Sequence, residues 1–126
     1  LARLESQPFN ASIAIVEIGG NDVLGATATS VFADKLDLLL DRLVKQQCQT
    51  IMFELPLPPL SHEYGRIQRH LAWKHGVQLI PKRALLSVLA GKNATLDIIH
   101  LSQSGHEQMA AQVWQWIGPA LNQATP

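Results

Sequence analysis

The sequence predicts an α/β fold built on a parallel sheet, and three observations lead to this prediction. Short and almost continuously apolar runs, typical of buried parallel strands, occupy Ser12–Ile18, Thr50–Leu55 and Val77–Ile80. Amphipathic segments long enough to form helices lie between and after these runs. Strands that alternate with helices form a parallel sheet through right-handed crossovers, and such sheets bind ligands beyond the carboxyl ends of their strands.

We predict helices over Thr27–Gln47, Ser61–His75, Lys82–Leu89 and from about Ser102 to Leu121. In the first helix apolar side chains recur at 3.6-residue spacing, and Thr29 or Ser30 is expected to cap its start. Ser61 is a possible cap of the second helix, which Gly76 would end. The last helix is expected to bury an apolar face formed by Met109, Ala110, Val113, Trp114, Ile117 and Leu121.

The composition describes one globular domain over residues 1–126, with 47% hydrophobic residues and no net charge. Ten basic and ten acidic residues give no excess of positive charge of the kind that binds nucleic acid. No apolar run approaches the ~20 residues of a membrane-spanning helix. The single cysteine, Cys48, excludes an internal disulfide and is expected to be a small buried side chain between a helix and a strand.

Gly19-Gly20-Asn21-Asp22 directly follows the first predicted strand, at the edge of the sheet where ligands bind. The glycines would let the backbone approach a ligand closely, and the Asn21 amide could donate a hydrogen bond to the oxyanion of a tetrahedral intermediate. All four residues are also common turn formers, so the motif taken alone favours an ordinary turn. Asp22 is expected to fix the loop or to cap the following helix.

Asp97 precedes His100 by three residues in a short turn that leads into the last helix. A carboxylate and an imidazole in this arrangement fit the general base of nucleophilic catalysis, with the carboxylate holding the imidazole tautomer. Taken alone, the pair is better explained as a helix cap beside a surface histidine, and it could also be half of a metal site. No third ligand stands at a suitable spacing, and His106 is expected to face solvent, so a metal site is not predicted.

The remaining side chains that could take part in chemistry are more simply explained by structural roles. We expect His70 and His75 to be solvated on the second helix, and Arg66 and Arg69 to form an exposed helical face. The tryptophans are expected to pack rather than to stack on a ligand: Trp73, Trp114 and Trp116.

The two motifs together, in this order and at this spacing, resemble the third and fifth sequence blocks of the SGNH (GDSL-type) hydrolases. The branch that they resemble most contains bacterial lysophospholipases, thioesterases and arylesterases. The resemblance runs from about Ile13 to Leu121, with Leu101 standing where many members have proline. It implies a three-layer α/β/α sandwich of flavodoxin-like type, of which this chain supplies the last three parallel strands.

The resemblance also implies roles for individual residues. Asn21 and Gly19 correspond to the family's oxyanion hole, His100 to the catalytic base and Asp97 to its orienting acid. The segment from Leu55 to Tyr64 is similar to the substrate-side loop of the family, so the substrate-binding candidates are Pro58 and His62.

The nucleophile block of the family has no counterpart in the sequence. No serine is preceded by Gly-Asp among Ser6, Ser12, Ser30, Ser61, Ser87, Ser102 and Ser104. The chain is therefore expected to be the C-terminal portion of an SGNH domain whose first strands and nucleophile lie elsewhere. One side of the Ile13–Ile18 strand would then be unpaired, and the expected partner is the N-terminal segment of the same domain.

The implied activity is that of a serine esterase or lipase-like hydrolase that cleaves carboxylic esters or thioesters of small molecules or lipids, without a cofactor. The isolated chain is expected to be inactive. Many members of the family are exported, which favours a periplasmic or exported location. The alternative is a non-catalytic half-domain that acts only by associating with its absent segment or with an oligomeric partner.

Overall fold

The computed structural model describes residues 11–56, 61–91, 94 and 101–123. The three strands are β1 (Ile13–Val16), β2 (Gln49–Phe53) and β3 (Gln78–Ile80). The five helices are α1 (Gly20–Leu24), α2 (Thr29–Lys45), α3 (His62–His75), α4 (Lys82–Leu89) and α5 (Gln103–Gln123). The chain divides between Leu79 and Ile80 into two compact units.

The strands form a sheet of order β1-β2-β3, and β1 is parallel to β2 with Ile13 opposite Gln49 and Val16 opposite Met52. The predicted α/β class with a three-stranded parallel sheet is confirmed. β1 stands at one edge of the described sheet, and its Ile15 is 50% exposed.

The core of the first unit lies between the sheet, α2 and α3. Four side chains of α2 recur on one face and are almost completely buried: Phe32, Leu36, Leu40 and Leu43. They pack with Val16 and Met52 of the sheet and with Leu71 and Ala72 of α3. Burial of a side chain of this size contributes about 1.5–3 kcal/mol to stability, so this stripe holds α2 against the rest of the unit.

The predicted elements are all present in the first unit, with shifted ends and one addition. A short helix, α1, takes the place of the predicted loop after β1. Ala28 is the N-cap residue of α2 and no side chain caps that helix, so the predicted cap at Thr29 or Ser30 is wrong. Ser61 stands at the N-cap of α3 without a side-chain hydrogen bond to it, and Gly76 ends α3 in a left-handed conformation as predicted. Cys48 is buried between α2 and β2, also as predicted, and burial raises the pKa of its thiol.

In the second unit, α4 has the predicted bounds, and the start of α5 is fixed by Ser102 and Ala94. The Ser102 hydroxyl accepts a hydrogen bond from the Gly105 N–H at 3.0 Å, which is the geometry of an N-cap. The Ser102 N–H donates to the Ala94 carbonyl at 2.9 Å. A Cβ at Gly105 would lie 1.9 Å from that carbonyl oxygen, so the contact requires glycine.

The predicted buried face of α5 is wrong at three positions. Ala110, Trp114 and Leu121 are exposed, whereas Gly105, Gly118 and Ala120 are buried. The prediction followed the largest apolar side chains, but the buried positions of α5 are three of its smallest residues. Trp73 is also exposed, contrary to prediction. No helix in the part of the chain that the structure describes is both long and apolar enough to cross a membrane.

Candidate active site

The Gly19-Gly20-Asn21-Asp22 motif lies at the carboxyl end of β1, as predicted, but it forms a helix rather than a loop. Gly19 is the N-cap residue of α1, and Asn21 lies in the first turn. The Asn21 carbonyl accepts a hydrogen bond from the Gly25 N–H, and the Asp22 carbonyl accepts one from the Thr27 N–H, both at 2.8 Å. Asn21 is exposed at this end of the strand and Asp22 is half-buried.

Only one of the two glycines is required by the backbone. Gly19 has φ +112°, a conformation that side chains rarely adopt, and its missing Cβ would lie 3.1 Å from Leu55 Cδ1 and 3.3 Å from the Phe32 ring. Nothing lies within 4 Å of a Cβ at Gly20. Side chains of the chain itself therefore restrict the space around residue 19, whereas residue 20 faces open space.

An open depression of about 380 Å³ lies at this end of the sheet. It is lined by Glu17, Ile18, Gly19, Gly20, Asn21, Asp22 and Leu55. The two predicted oxyanion-hole residues, Gly19 and Asn21, are thus neighbours on the wall of one concave site, where side-chain amide and backbone N–H groups can meet a ligand.

Two residues of α3, neither of them predicted, support this wall. The Gln68 side chain is completely buried; its Nε2 donates to the Ile18 carbonyl at 3.2 Å, and its Oε1 accepts from the Leu55 N–H at 3.3 Å. The Tyr64 hydroxyl donates to the Thr27 carbonyl, and its ring packs on Phe32 with centroids 5.2 Å apart. A polar residue on an otherwise apolar helix stripe was the available signal for Gln68.

An ion pair with a buried carboxylate lies beside this support. Glu54, directly after β2, is almost completely buried and accepts a hydrogen bond from Arg69 Nη1. A Cβ at Gly65 would lie 3.3 Å from Glu54 Oε1, so the chain passes close to this carboxylate. Arg69 is exposed, as predicted, but its guanidinium also pairs with the buried Glu54 carboxylate, which depends on such a partner.

A second charged cluster joins α2 to the C-terminal end of α3. Lys74 Nζ donates to both carboxylate oxygens of Asp37, at 2.7 and 2.8 Å, and His75 Nε2 lies 2.6 Å from Asp37 Oδ1. The hydrogen bonds from Lys74 and then from His75 hold the pKa of the Asp37 carboxyl below its usual range. The His75 side chain is only 10% exposed, so its predicted solvation is wrong, whereas His70 is exposed as predicted.

Of the other predicted site residues, His62 is the one that the structure describes. His62 is exposed at the start of α3 and is not among the residues that line the depression. Pro58, Asp97 and His100 lie outside the described residues. No three His, Cys, Asp or Glu side chains gather at a metal-binding distance within the described ranges.

Neither a protein-family model nor a curated protein matches this chain. Several solved structures are similar to it, among them the following three. The esterase EstA from Pseudoalteromonas sp., in a structure inhibited by monoethylphosphonate, has 16% identity and a TM-score of 0.77 over 88% of this chain and 63% of its own. TesA has 19% identity and a TM-score of 0.72, over 86% of this chain and 63% of its own. AlinE4, an SGNH-hydrolase family esterase, has 25% identity and a TM-score of 0.62, over 99% of this chain and 67% of its own.

These likenesses confirm the predicted resemblance at the level of the fold. The chain spans 63% of the length of EstA and of TesA, so about a third of each has no counterpart in it. The depression at the end of β1 is the part of this fold at which the sequence placed an oxyanion hole.

Proposed function

We propose that this chain, whose fold is that of the SGNH hydrolases, is the C-terminal part of a serine hydrolase of carboxylic esters or thioesters. Structural neighbours that are esterases support ester hydrolysis at this coarse level. The observation that carries the finer proposal is the depression at the carboxyl end of β1, which Gly19 and Asn21 line together.

Asn21 has the role of an oxyanion donor in this proposal. Its side chain is exposed at the depression, where a substrate carbonyl can reach it, and the helical turn of α1 fixes its backbone. A donor that is held in place before the reaction stabilises charge as it develops on the carbonyl oxygen. Removal of one such donor typically costs about 2.7–4 kcal/mol of transition-state stabilisation.

His100 and Asp97 complete the proposed machinery, on the basis of their spacing and of the family resemblance. His100 takes the proton of a serine hydroxyl as the oxygen attacks the carbonyl carbon, and Asp97 orients the imidazole. The tetrahedral intermediate collapses to an acyl-serine, and His100 passes the proton to the departing alcohol or thiol. Water then repeats the sequence, which releases the acid and restores the serine.

The nucleophilic serine belongs, in this proposal, to a segment that precedes residue 1. No serine of this sequence follows a Gly-Asp pair, and the neighbours of known structure are longer than this chain. The substrate classes to be compared are aryl esters, lysophospholipids and acyl thioesters, with Pro58 and His62 as the proposed substrate-side contacts.

The base assignment is tested by ester turnover of the full-length protein and its His100→Ala variant. We expect the substitution to abolish turnover of p-nitrophenyl esters. His106→Ala is the matched control, because His106 is exposed on α5 and has no proposed role, so this variant should keep full activity. Full activity of the His100→Ala variant would make the assignment wrong.

The position of the nucleophile is tested with a reactive ethyl phosphonate ester, a reagent class suggested by the inhibitor of EstA. Mass spectrometry of the labelled full-length protein should place the phosphonate on a serine that precedes residue 1. A label on any serine within residues 1–126 would contradict the proposal that the nucleophile lies outside this chain.

A non-catalytic half-domain is the second candidate, and the edge strand favours it. β1 stands at the edge of the described sheet with Ile15 half-exposed, and two apolar side chains of α2, Val31 and Leu38, are also exposed. An apolar strand edge is a template for pairing with another chain. A full-length protein without ester or thioester turnover that dimerises, and whose dimer is lost on Ile15→Lys, would favour this candidate over the hydrolase.

A further inference from the structure

Tyr64 and Gln68 lie one helical turn apart on α3 and bond to the two ends of one segment. Gln68 donates to the carbonyl of Ile18, the residue before Gly19, at 3.2 Å. Tyr64 donates to the carbonyl of Thr27, the residue after Ala26. Because residues at i and i+4 share a helix face, a single face of α3 contacts both ends of residues 19–26, the segment that contains Asn21.

The contacts of Gln68 use both ends of its amide. While Nε2 donates to Ile18 at the exit of β1, Oε1 accepts from the Leu55 N–H beyond β2. The side chain is fully buried, and the described residues include no buried side-chain nitrogen or oxygen without a partner. A side-chain amide carries both a donor and an acceptor, and that of Gln68 is long enough to reach the Ile18 carbonyl after β1 and the Leu55 N–H after β2. Gln68 therefore links the segments that follow the two strands.

The segment between the two contacts has a positive φ angle at each of its ends. Gly19 at its start has φ +112°, and Ala26 at its end has φ +51°, a left-handed conformation that alanine rarely adopts. Such residues persist where the surrounding structure over-determines them. The Tyr64 bond to Thr27 lies directly after Ala26, and the Tyr64 ring packs on Phe32, which in turn contacts Gly19.

We propose that Gln68 and Tyr64 are positioning residues for the oxyanion donor, Gln68 fixing the start and Tyr64 the end of residues 19–26. This inference rests on the proposed function, because it acts through Asn21. Oxyanion stabilisation depends on donors placed about 2.7–3.1 Å from the developing charge. A displacement of about 1 Å costs roughly a hundredfold in rate, so a loosened segment should slow the chemical step rather than weaken substrate binding.

The test compares Gln68→Leu and Tyr64→Phe in the full-length protein. Gln68→Leu removes both amide contacts, whereas Tyr64→Phe removes one hydroxyl and keeps the ring on Phe32, so it should fold even if Gln68→Leu does not. Leu43→Val is the control, because it deletes one methylene from the buried face of α2 and leaves residues 19–26 and their contacts intact. Each variant is measured for kcat, KM, unfolding midpoint and hydrogen exchange of the Val23 and Gly25 amides.

We expect kcat to fall about tenfold to a hundredfold in Gln68→Leu and severalfold in Tyr64→Phe, with KM within about twofold of the wild type. Exchange should accelerate at Val23 and Gly25, whose N–H groups bond to the Gly19 and Asn21 carbonyls. Leu43→Val should lower the unfolding midpoint without changing kcat or this exchange. A kcat within about twofold of the wild type in both test variants, or a fall in Leu43→Val equal to theirs, overturns the proposal.

The exchange measurement separates this inference from the proposed function. If the wild-type protein hydrolyses no ester or thioester, the proposed function is wrong, and exchange alone then decides whether Gln68 and Tyr64 hold the segment. Unchanged exchange at Val23 and Gly25 in both variants overturns the positioning role irrespective of activity.

Discussion

The ring of Phe32 packs against the backbone of Gly19, so closely that a Cβ at residue 19 would lie 3.3 Å from the ring atoms Cε2 and Cζ. Phe32 is itself buried to 3% exposure in the core between α2 and α3. The core of the first unit therefore reaches directly to the wall of the candidate site. Packing of the core and the geometry of the site are therefore coupled through Phe32 and Gly19.

Gly19→Ala should be destabilising, because it combines a left-handed φ with two close contacts. We expect a loss of about 1–3 kcal/mol in the free energy of unfolding, measured by urea denaturation. Gly20→Ala is the matched control: a Cβ there meets open space, and the residue lies in α1, so stability should be unchanged or should rise by up to about 1 kcal/mol. Equal losses in the two variants would contradict the conformational requirement at Gly19.

Gly105→Ala should disturb the start of α5, since the new Cβ would lie 1.9 Å from the Ala94 carbonyl oxygen. The backbone has to move, and we expect a loss of about 2 kcal/mol or more by thermal unfolding. Gly118→Ala is the comparison, because its Cβ would meet only the Trp114 ring at 3.2 Å, and Trp114 is exposed and can shift. A Gly105→Ala protein as stable as the Gly118→Ala protein would rule out a tight contact at Ala94.

Arg69 and Glu54 should be energetically coupled, because the carboxylate is buried and Arg69 donates to it. Arg69→Met should destabilise the protein, and a double-mutant cycle with Glu54→Gln should give a coupling energy of about 1–3 kcal/mol. Arg66, which pairs with Glu63 on the exposed surface of α3, provides the control: the Arg66→Met and Glu63→Gln cycle should give less than about 0.5 kcal/mol. A coupling energy between Arg69 and Glu54 that is no greater than that between Arg66 and Glu63 would contradict this account.

Asp37 should make a pH-dependent contribution to stability. Its pKa is lowered in the folded state by hydrogen bonds from Lys74 and His75, so its contribution is present above the pKa of the unfolded chain and is lost as pH falls through the lower folded value. Asp37 is partly exposed, so we expect Asp37→Asn to cost no more than about 1 kcal/mol at neutral pH.

Unfolding of both proteins, followed over the acid range from about pH 5 down to about pH 3 in which the carboxylate titrates, checks the sign of this effect. The difference between wild type and Asp37→Asn should shrink as pH falls. Asp41→Asn, which removes an exposed pair with Lys45 on the same helix, should show a smaller difference at every pH. A difference that grows on acidification would contradict the assigned direction.

Apolar periodicity was enough to predict the three strands and the four longer helices, because buried faces leave a regular pattern. It did not predict α1, since Gly-Gly-Asn-Asp is a turn-like sequence and the helix is five residues long. It failed on α5 because Gly105, Gly118 and Ala120 are buried, while the large Trp114 is exposed. Side-chain size does not indicate which face a small-residue contact will use.

The position of the motif at the end of β1 could be predicted because it is local in sequence, whereas contacts between distant residues could not. Gly19 and Asn21 lie two residues apart in one motif, and they line one depression. Gln68 is separated from Ile18 by 50 residues, and His75 from Asp37 by 38, so no local pattern indicates either contact. Such pairings arise only when α2, α3 and the sheet are packed together.

The most direct test of the central claim is the kcat of the full-length Asn21→Ala variant on an ester that the wild type hydrolyses. Alanine is well tolerated in the α1 turn, so the loss of the side-chain amide can be separated from unfolding. We expect kcat to fall about a hundredfold to a thousandfold with little change in KM and in unfolding midpoint. An unchanged kcat in a folded Asn21→Ala protein would contradict the assignment of this site as the oxyanion hole.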